Sequence, residues 1–185
     1  MGRLKKFNRE EVLERALPQF WAQGFSGTVV QDLEKATGVN KSGLYSEFKD
    51  KEDLFLASLR HYYQEVEKKL SSSALPLGWE NIESMLKSVA QPPAGRRRGC
   101  FGVNSMRELE LLPDKAREIV SDFRSRMRRQ IKKNIVASGC KSSPDALADM
   151  VLTFFSGICI EQNLNQSKAS SLRKIEDFVR LIRSA

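Results

Sequence analysis

The sequence lacks the residue patterns that several kinds of site require. It has one histidine, His61, and its three cysteines lie far apart at positions 100, 140 and 159. The close Cys/His spacing of a zinc site is therefore missing, and neither a metal nor a cofactor is expected. No nucleophile, base and orienting group gather around His61 in the sequence, which argues against an enzyme. An odd number of scattered cysteines favours reduced thiols.

Long hydrophobic runs are also missing. No apolar stretch approaches the ~20 residues of a membrane span. The basic N-terminus lacks the apolar core of a signal peptide, so the cytoplasm is the expected location. We find no strand pattern, internal repeat or low-complexity tract, whereas apolar residues recur at helical spacing along the chain. The sequence therefore predicts an all-α fold of about nine helices.

Positive charge is in excess, but it is unevenly placed. The formal net charge of +8 favours an anionic partner. Residues 1–50 hold eight Lys/Arg against seven Asp/Glu, whereas residues 115–133 hold eight against two. A basic run such as the second is most often a solvated helix face. Arg3, Lys5 and Lys6 form a short basic arm, which either frays or follows a phosphate backbone.

One stretch, residues 28–51 with the sequence TVVQDLEKATGVNKSGLYSEFKDK, carries the strongest local pattern. Thr28 and Gln31 have the spacing of a reciprocal helix cap. Gly38 then supplies the left-handed residue that ends this helix. Only two residues separate Gly38 from a second short helix, which starts at Lys41. Helices joined by so tight a turn cross steeply, as in a helix-turn-helix.

The second short helix has one apolar and one polar face. Leu44 and Phe48 share the face that is expected to pack on the preceding helix. The residues left facing out are small, polar or hydroxyl-bearing, and such a surface can enter a major groove: Lys41, Ser42, Gly43, Tyr45 and Ser46. Asp50 is expected to cap the next helix. Lys51 lies in its first turn, where the helix dipole and free amides favour a DNA phosphate.

Further helices are expected on both sides of this stretch. Asn8 starts the first helix, Pro18 should kink it, and Gly24 should stop it. After a long fourth helix, SSSALPLG at residues 71–78 marks the expected domain boundary. A sixth helix is expected to run from Cys100 to Leu112.

The chain ends in two apolar helices, at about residues 145–163 and 168–184. Together they expose more apolar surface than one small bundle can cover. A four-helix bundle formed with a second copy of the chain would cover this surface, so these helices are the expected homodimer interface.

The segment that runs from FWAQGF through TVVQDLEKATGVNKSGLYSEFKDKEDLF resembles the N-terminal DNA-binding domain of TetR/AcrR-family transcriptional regulators. The resemblance covers roughly residues 8–60. The rest of the chain resembles the family only in the layout of its helices. It implies a DNA-binding domain at residues 1–50, a connecting helix at 51–70, and a ligand-binding and dimerisation domain at 71–185. It also implies a homodimer that binds double-stranded operator DNA, with contacts from Thr28, Gln31, Asn40, Lys41, Ser42, Gly43, Tyr45, Ser46 and Lys51.

One residue departs from the family pattern. Many members carry an aromatic residue or histidine just before the position of Phe48, whereas this chain has Glu47. An acid beside DNA is unfavourable unless it accepts from a cytosine amine or points away.

The favoured hypothesis is a ligand-controlled repressor. Dimer symmetry would place two reading helices about 34–36 Å apart on a palindrome. A small molecule in the second domain would stabilise a conformation with the wrong spacing. Candidate pocket residues are methionines and aromatics, which are more often plain core than ligand contacts: Met85, Phe101, Met106, Phe123, Met127, Met150 and Phe154.

Two other hypotheses remain open. Cys100 follows three arginines, which could lower its thiol pKa and make it a redox switch, although a small buried residue is the plainer interpretation. The helix-turn-helix could also bind a partner protein instead of DNA. A steep loss of binding as salt rises would distinguish DNA from a protein partner.

Overall fold

A computed structural model of the chain describes residues 7–71, 76–91, 99–108, 110–164 and 167–184. In these residues it has nine α-helices, two short 3-10 helices and no β-strand, which confirms the all-α prediction. The α-helices are α1 (Arg9–Gly27), α2 (Val30–Thr37), α3 (Lys41–Glu47), α4 (Lys51–Ser71), α5 (Trp79–Ala90), α6 (Phe101–Ser105), α7 (Asp114–Ala137), α8 (Pro144–Glu161) and α9 (Lys168–Arg183). The basic arm at Arg3, Lys5 and Lys6 and the three arginines at 96–98 lie outside the described residues.

The start and the break of α1 follow the predicted caps. The Asn8 side chain accepts a hydrogen bond from the main-chain N–H of Glu10 at 2.9 Å. Pro18 lies inside the helix, and the residue with non-helical dihedral angles is Gly24, with a φ of 73°. A residue with a side chain would be strained at this positive φ, so a glycine is required where the regular part of α1 ends.

The predicted cap of α2 by Thr28 is wrong. The residue before α2 is Val29, and no side chain caps the helix. Thr28 is fully buried, and its hydroxyl donates to the main-chain oxygen of Gly24 at 2.6 Å. Because α1 breaks at Gly24, that carbonyl needs a new donor, and the threonine hydroxyl satisfies it.

The sixth helix is much shorter than the predicted span from Cys100 to Leu112. α6 ends at Ser105 and is followed by a 3-10 helix, Met106–Glu108. The main-chain oxygen of Glu108 then accepts from the N–H groups of Leu111 and Leu112, at 2.8 and 3.0 Å. These two bonds close a turn and end the helical segment before Pro113.

A single apolar core extends through the described helices, and α4 joins its two ends. α4 packs on α1 and also on α6 and α7. At this junction Phe55 of α4 makes edge-to-face contacts with Phe20 of α1 and Phe101 of α6, with ring centroids 5.2 and 5.8 Å apart. No helix in the described part of the chain is long and apolar enough to cross a membrane.

Part of the basic face of α7 forms ion pairs with α8. Arg128 pairs with Asp145 and Asp149 of α8, at 2.9 and 2.7 Å, and Lys132 pairs with Asp145 at 2.6 Å. These groups are partly exposed, so each pair contributes little stability. Their role is to connect the exposed edges of α7 and α8.

Candidate nucleic-acid interface

The turn between α2 and α3 is fixed by Gly38 and Glu34. Gly38 has the predicted left-handed conformation, with φ 71° and ψ 11°, and its N–H donates to the main-chain oxygen of Glu34 at 2.9 Å. The Glu34 carboxylate accepts from the main-chain N–H of Lys41, the first residue of α3. One residue of α2 therefore anchors both the end of α2 and the start of α3.

α3 presents the predicted faces. Asn40 caps it, because the side-chain oxygen accepts from the N–H of Gly43 at 2.8 Å. Leu44 and Phe48 are fully buried, as their spacing predicts. The residues of the predicted DNA-contact set that are exposed are Gln31, Asn40, Lys41, Ser42 and Ser46, whereas Gly43, Tyr45 and Lys51 are half-buried.

Gly43 is where α3 comes closest to its neighbours. A Cβ added here would lie 2.7 Å from Cγ1 of Val39 and 3.3 Å from Cε1 of Phe7. The absence of a side chain at Gly43 therefore lets α3 rest directly on the turn before it. The Ser46 hydroxyl donates to the Gly43 oxygen at 2.7 Å, so it is engaged within the helix.

The structure places Glu47 against α1. Arg9 of α1 donates from Nη1 to the Glu47 main-chain oxygen at 2.8 Å, and the same nitrogen lies 3.9 Å from the Glu47 carboxylate. The Arg9 guanidinium also lies 4.2 Å from the centroid of the Phe48 ring. The Glu47 side chain is only 11% exposed, so this acid faces α1 and leaves the exposed side of α3 without a carboxylate.

Lys51 and Thr28 have partners inside the protein. The Lys51 ammonium donates to the main-chain oxygens of Phe25 and Thr28, at 2.9 and 3.0 Å, and lies 4.4 Å from the Phe25 ring centroid. An ammonium has three N–H donors, so one remains for an external acceptor. Asp50 caps α4 as predicted, because its side chain accepts from the N–H of Asp53 at 2.8 Å.

Most of the predicted pocket residues lie away from the main cleft. A cleft of about 610 Å³ lies between the end of α1, α6 and the 3-10 helix, and of the predicted set only Phe101 lines it. The others are placed elsewhere: Met85, Phe123 and Met127 are buried in the core, Met106 and Phe154 are half-buried, and Met150 is exposed.

The cleft contains contacts that the sequence does not reveal. The Glu108 carboxylate accepts from the main-chain N–H of Ser26 at 3.2 Å. A Cβ added at Gly24 would overlap this carboxylate, so a side chain there would displace Glu108 from Ser26. Trp21 lines the same cleft, and its buried indole Nε1 has no hydrogen-bond partner. Nothing in the local sequence signals a contact between residues 82 positions apart.

Two buried thiols meet at the start of α6. Cys100 precedes α6, and the Tyr62 hydroxyl of α4 donates to its sulfur at 3.3 Å. Hydrogen bonds lower the pKa of Cys100 to about 7, against the opposing effect of burial. The strongest comes from the Cys159 thiol, and weaker ones come from Tyr62 and from the N–H groups of Val103 and Gly102. The hydrogen bond to Cys100 and burial raise the pKa of Cys159 well above its usual range.

α8 and α9 share an exposed apolar face. Phe154 stacks on Phe178, with ring centroids 3.9 Å apart and the rings within 3° of parallel. A groove of about 410 Å³ runs beside this pair and also involves Gly157 and Leu181. Four large apolar side chains of this region are exposed: Met150, Ile160, Leu164 and Leu181.

Known proteins are similar to this chain in sequence and in fold. The family model described as bacterial regulatory proteins, tetR family, matches residues 12–58. The HTH-type transcriptional repressor ComR of Escherichia coli (strain K12) is 33% identical over 135 residues, which make up 68% of this chain and 60% of ComR. The matched part therefore spans less than two thirds of that relative. The HTH-type transcriptional repressor DhaR of Mycobacterium sp. (strain GP1) is 23% identical over 171 residues, 86% of this chain and 84% of DhaR.

Solved structures agree on the fold. A cysteine mutant of the TetR-family regulator CifR, complexed with 26-base-pair operator DNA, superposes with a TM-score of 0.83 at 22% identity, over 96% of this chain and 98% of that one. The family segment at residues 12–58 contains the whole of α2 and α3 with the turn between them. Together the comparisons support a TetR/AcrR-family regulator: residues 12–58 match the family model, ComR and DhaR are related transcriptional repressors, and the fold is that of solved TetR-family regulators.

Proposed function

We propose that this chain is a transcriptional repressor that binds a palindromic operator as a homodimer and is released by a small-molecule inducer. α3 is the helix that would contact the bases in the major groove, and α2 supports it. The observation that carries the proposal is the placement of α3: its apolar side is locked on α2, and its polar side is exposed and free of carboxylates. A helix presented in this way can enter a major groove.

The DNA contacts divide by chemistry. Exposed Lys41 and Ser42 at the start of α3, together with Gln31 of α2, suit base edges and nearby phosphates. The half-buried Tyr45 hydroxyl and the remaining N–H of Lys51 suit phosphates. Thr28 is buried with its hydroxyl engaged, so its proposed phosphate contact requires that hydroxyl to leave the Gly24 oxygen. Asn40, Gly43 and Ser46 complete the proposed contact set.

The proposed division of the chain follows from these roles. Residues 1–50 form the DNA-binding unit, residues 51–70 of α4 connect it, and residues 71–185 bind the inducer and dimerise. The exposed face of α8 and α9 supports the dimer proposal, because a second copy would cover its apolar side chains. Two copies of α3 would then lie about one helical turn of DNA apart.

The inducer would act where the two units meet. The cleft beside Phe101 and Trp21 is lined by both α1 and α6, so a molecule bound there would contact both units at once. It would separate the Glu108 carboxylate from the Ser26 N–H if it preferred a conformation with a different α1 position. A ligand shifts such an equilibrium only through its difference in affinity for the two states.

The test uses the duplex recovered by selection with the purified protein from a random-sequence library long enough for two half-sites. Lys41→Ala should weaken binding about tenfold and make the salt dependence shallower by about one unit of slope, since each phosphate contact releases about one counterion. Lys133→Ala is the matched control, because this lysine is equally exposed but lies on α7. Equal effects of the two substitutions would contradict the role of α3.

A second candidate for the controlling signal is oxidation at Cys100 instead of an inducer. The observation that favours it is the pairing of this sulfur with Cys159 and the Tyr62 hydroxyl. Measurement of operator affinity under reductant and under mild peroxide tests this signal, because only control by oxidation makes the affinity differ between the two conditions.

A further inference from the structure

The start of α6 is held against the end of α8 by contacts on both sides of Cys100. A Cβ added at Gly99 would lie 2.7 Å from the main-chain oxygen of Cys159, so the two backbones are in direct contact. One turn further along, the Asn163 side chain donates to the Asn104 side-chain oxygen at 3.0 Å. The main chains that carry Cys100 and Cys159 are therefore held against each other, and this packing places the two side chains opposite each other.

The surroundings of Cys100 favour its thiolate. Its sulfur lies before the first turn of α6 and is within reach of donors from Tyr62, Gly102 and Val103, besides the Cys159 thiol. Thiolates, and not thiols, react with hydroperoxides. Both cysteines are buried. The cleft of about 610 Å³ that a small oxidant would enter is lined by Phe101, the residue after Cys100, and by Gln162, three residues after Cys159.

We propose that Cys100 and Cys159 form an intramolecular disulfide when the protein meets a hydroperoxide, and that this bond lowers the affinity of the protein for its operator. Only the effect on DNA rests on the proposed function. The two sulfurs are a modification site for hydrogen peroxide and other small hydroperoxides, with Cys100 as the attacked sulfur and Cys159 as its partner.

The chemistry balances in two steps. First, the Cys100 thiolate attacks the hydroperoxide, the O–O bond breaks, a sulfenic acid forms, and the leaving oxygen departs as an alcohol or water with a proton. Oxidation also removes the hydrogen bond that chiefly raises the Cys159 pKa. Second, the Cys159 sulfur attacks Cys100, the S–S bond forms, and the hydroxide leaves as water with the proton of Cys159. Two thiols thus lose two electrons to one peroxide.

The disulfide would change what α4 contacts. In the reduced protein the Tyr62 hydroxyl of α4 donates to Cys100. A disulfide sulfur is a poor acceptor, so this bond would be lost in the buried junction between α4, α1 and α6. Because only three residues separate the end of α3 from the start of α4 at Lys51, a shift of α4 alters how α3 is presented to DNA.

The first test is chemical and needs no DNA. After treatment with hydrogen peroxide, peptide mapping without reductant should find Cys100 linked to Cys159 within one chain, and reductant should reverse the link. Cys140→Ala is the matched control and should form the same link, since Cys140 lies in the turn after α7. Cys159→Ser, which keeps a hydrogen-bond donor beside Cys100, should instead leave a sulfenic acid at Cys100. A link that involves Cys140, or no link at all, overturns the proposal.

The second test measures DNA binding on the selected duplex. Peroxide should weaken binding by the wild-type chain and Cys140→Ala at least tenfold, and should leave binding by Cys159→Ser unchanged. If the linked protein bound as tightly as the reduced one, the regulatory half of the proposal would be wrong. If the reduced protein bound no duplex, the proposed function would fail, whereas the peptide map would still decide whether the disulfide forms.

Discussion

Replacement of Gly43 by alanine tests how closely α3 rests on the turn before it. An alanine Cβ would lie 2.7 Å from Cγ1 of Val39, which is well inside van der Waals contact. Overpacking of a well-packed site costs about 1–3 kcal/mol. Against this, alanine favours a helix interior over glycine by about 1 kcal/mol. The overlap is the larger effect, so we expect the free energy of unfolding to fall by about 1 kcal/mol.

This change is measurable in two ways. For a chain of this size, about 1 kcal/mol corresponds to a decrease in Tm of roughly 2–4 °C. Urea unfolding at a fixed protein concentration should show a lower midpoint with an unchanged slope. Because the added methyl group pushes α3 away from Val39, operator affinity should fall as well.

The double variant Val39→Ala with Gly43→Ala is the control. Shortening Val39 removes the atom that the new methyl group would meet, so the cost of Gly43→Ala should be smaller in this background. A single variant Gly43→Ala that is about 1 kcal/mol more stable than the wild type and binds DNA normally would refute the close packing of α3.

Three further outcomes are expected. Lys51→Met should lower the free energy of unfolding by about 1–3 kcal/mol, because two main-chain carbonyls at the end of α1 lose their donor; no change in urea unfolding would refute this role. Leu181→Arg should dissociate the dimer in sedimentation, whereas Leu111→Arg, at a similarly exposed position, should not affect the dimer; a dimer that survives Leu181→Arg would exclude this face. Alkylation of Cys100 should be half-maximal near pH 7, because a lowered pKa leaves the thiolate dominant above that pH, and Tyr62→Phe should move the midpoint upward.

The features that the sequence predicts well are those that depend on local geometry. Gly24 breaks α1 and Gly38 ends α2, because each place needs a residue with positive φ and glycine adopts it without strain. The buried side of α3 follows from the spacing of Leu44 and Phe48. Asp50 caps α4 because its side chain reaches the free amides of the first turn.

The features that the sequence misses depend on residues far apart in the chain. Thr28 has the spacing of a helix cap, but its hydroxyl donates instead to the Gly24 carbonyl, which is left without a helical partner at the break of α1. Glu108 belongs to a predicted helix, yet its carboxylate turns toward Ser26 across the cleft. The pairing of Cys100 with Cys159 exists only because α6 packs on α8, and no local pattern shows it.

The central claim is that two copies of α3, presented by one homodimer, read DNA. The most direct measurement is the stoichiometry and salt dependence of binding to the selected duplex, by sedimentation and titration over a range of salt concentrations. We expect two protomers on each palindromic duplex, binding that weakens steeply as salt rises, and loss of binding when either half-site is scrambled. A single bound protomer, or affinity that is indifferent to salt and to the half-sites, would contradict the claim.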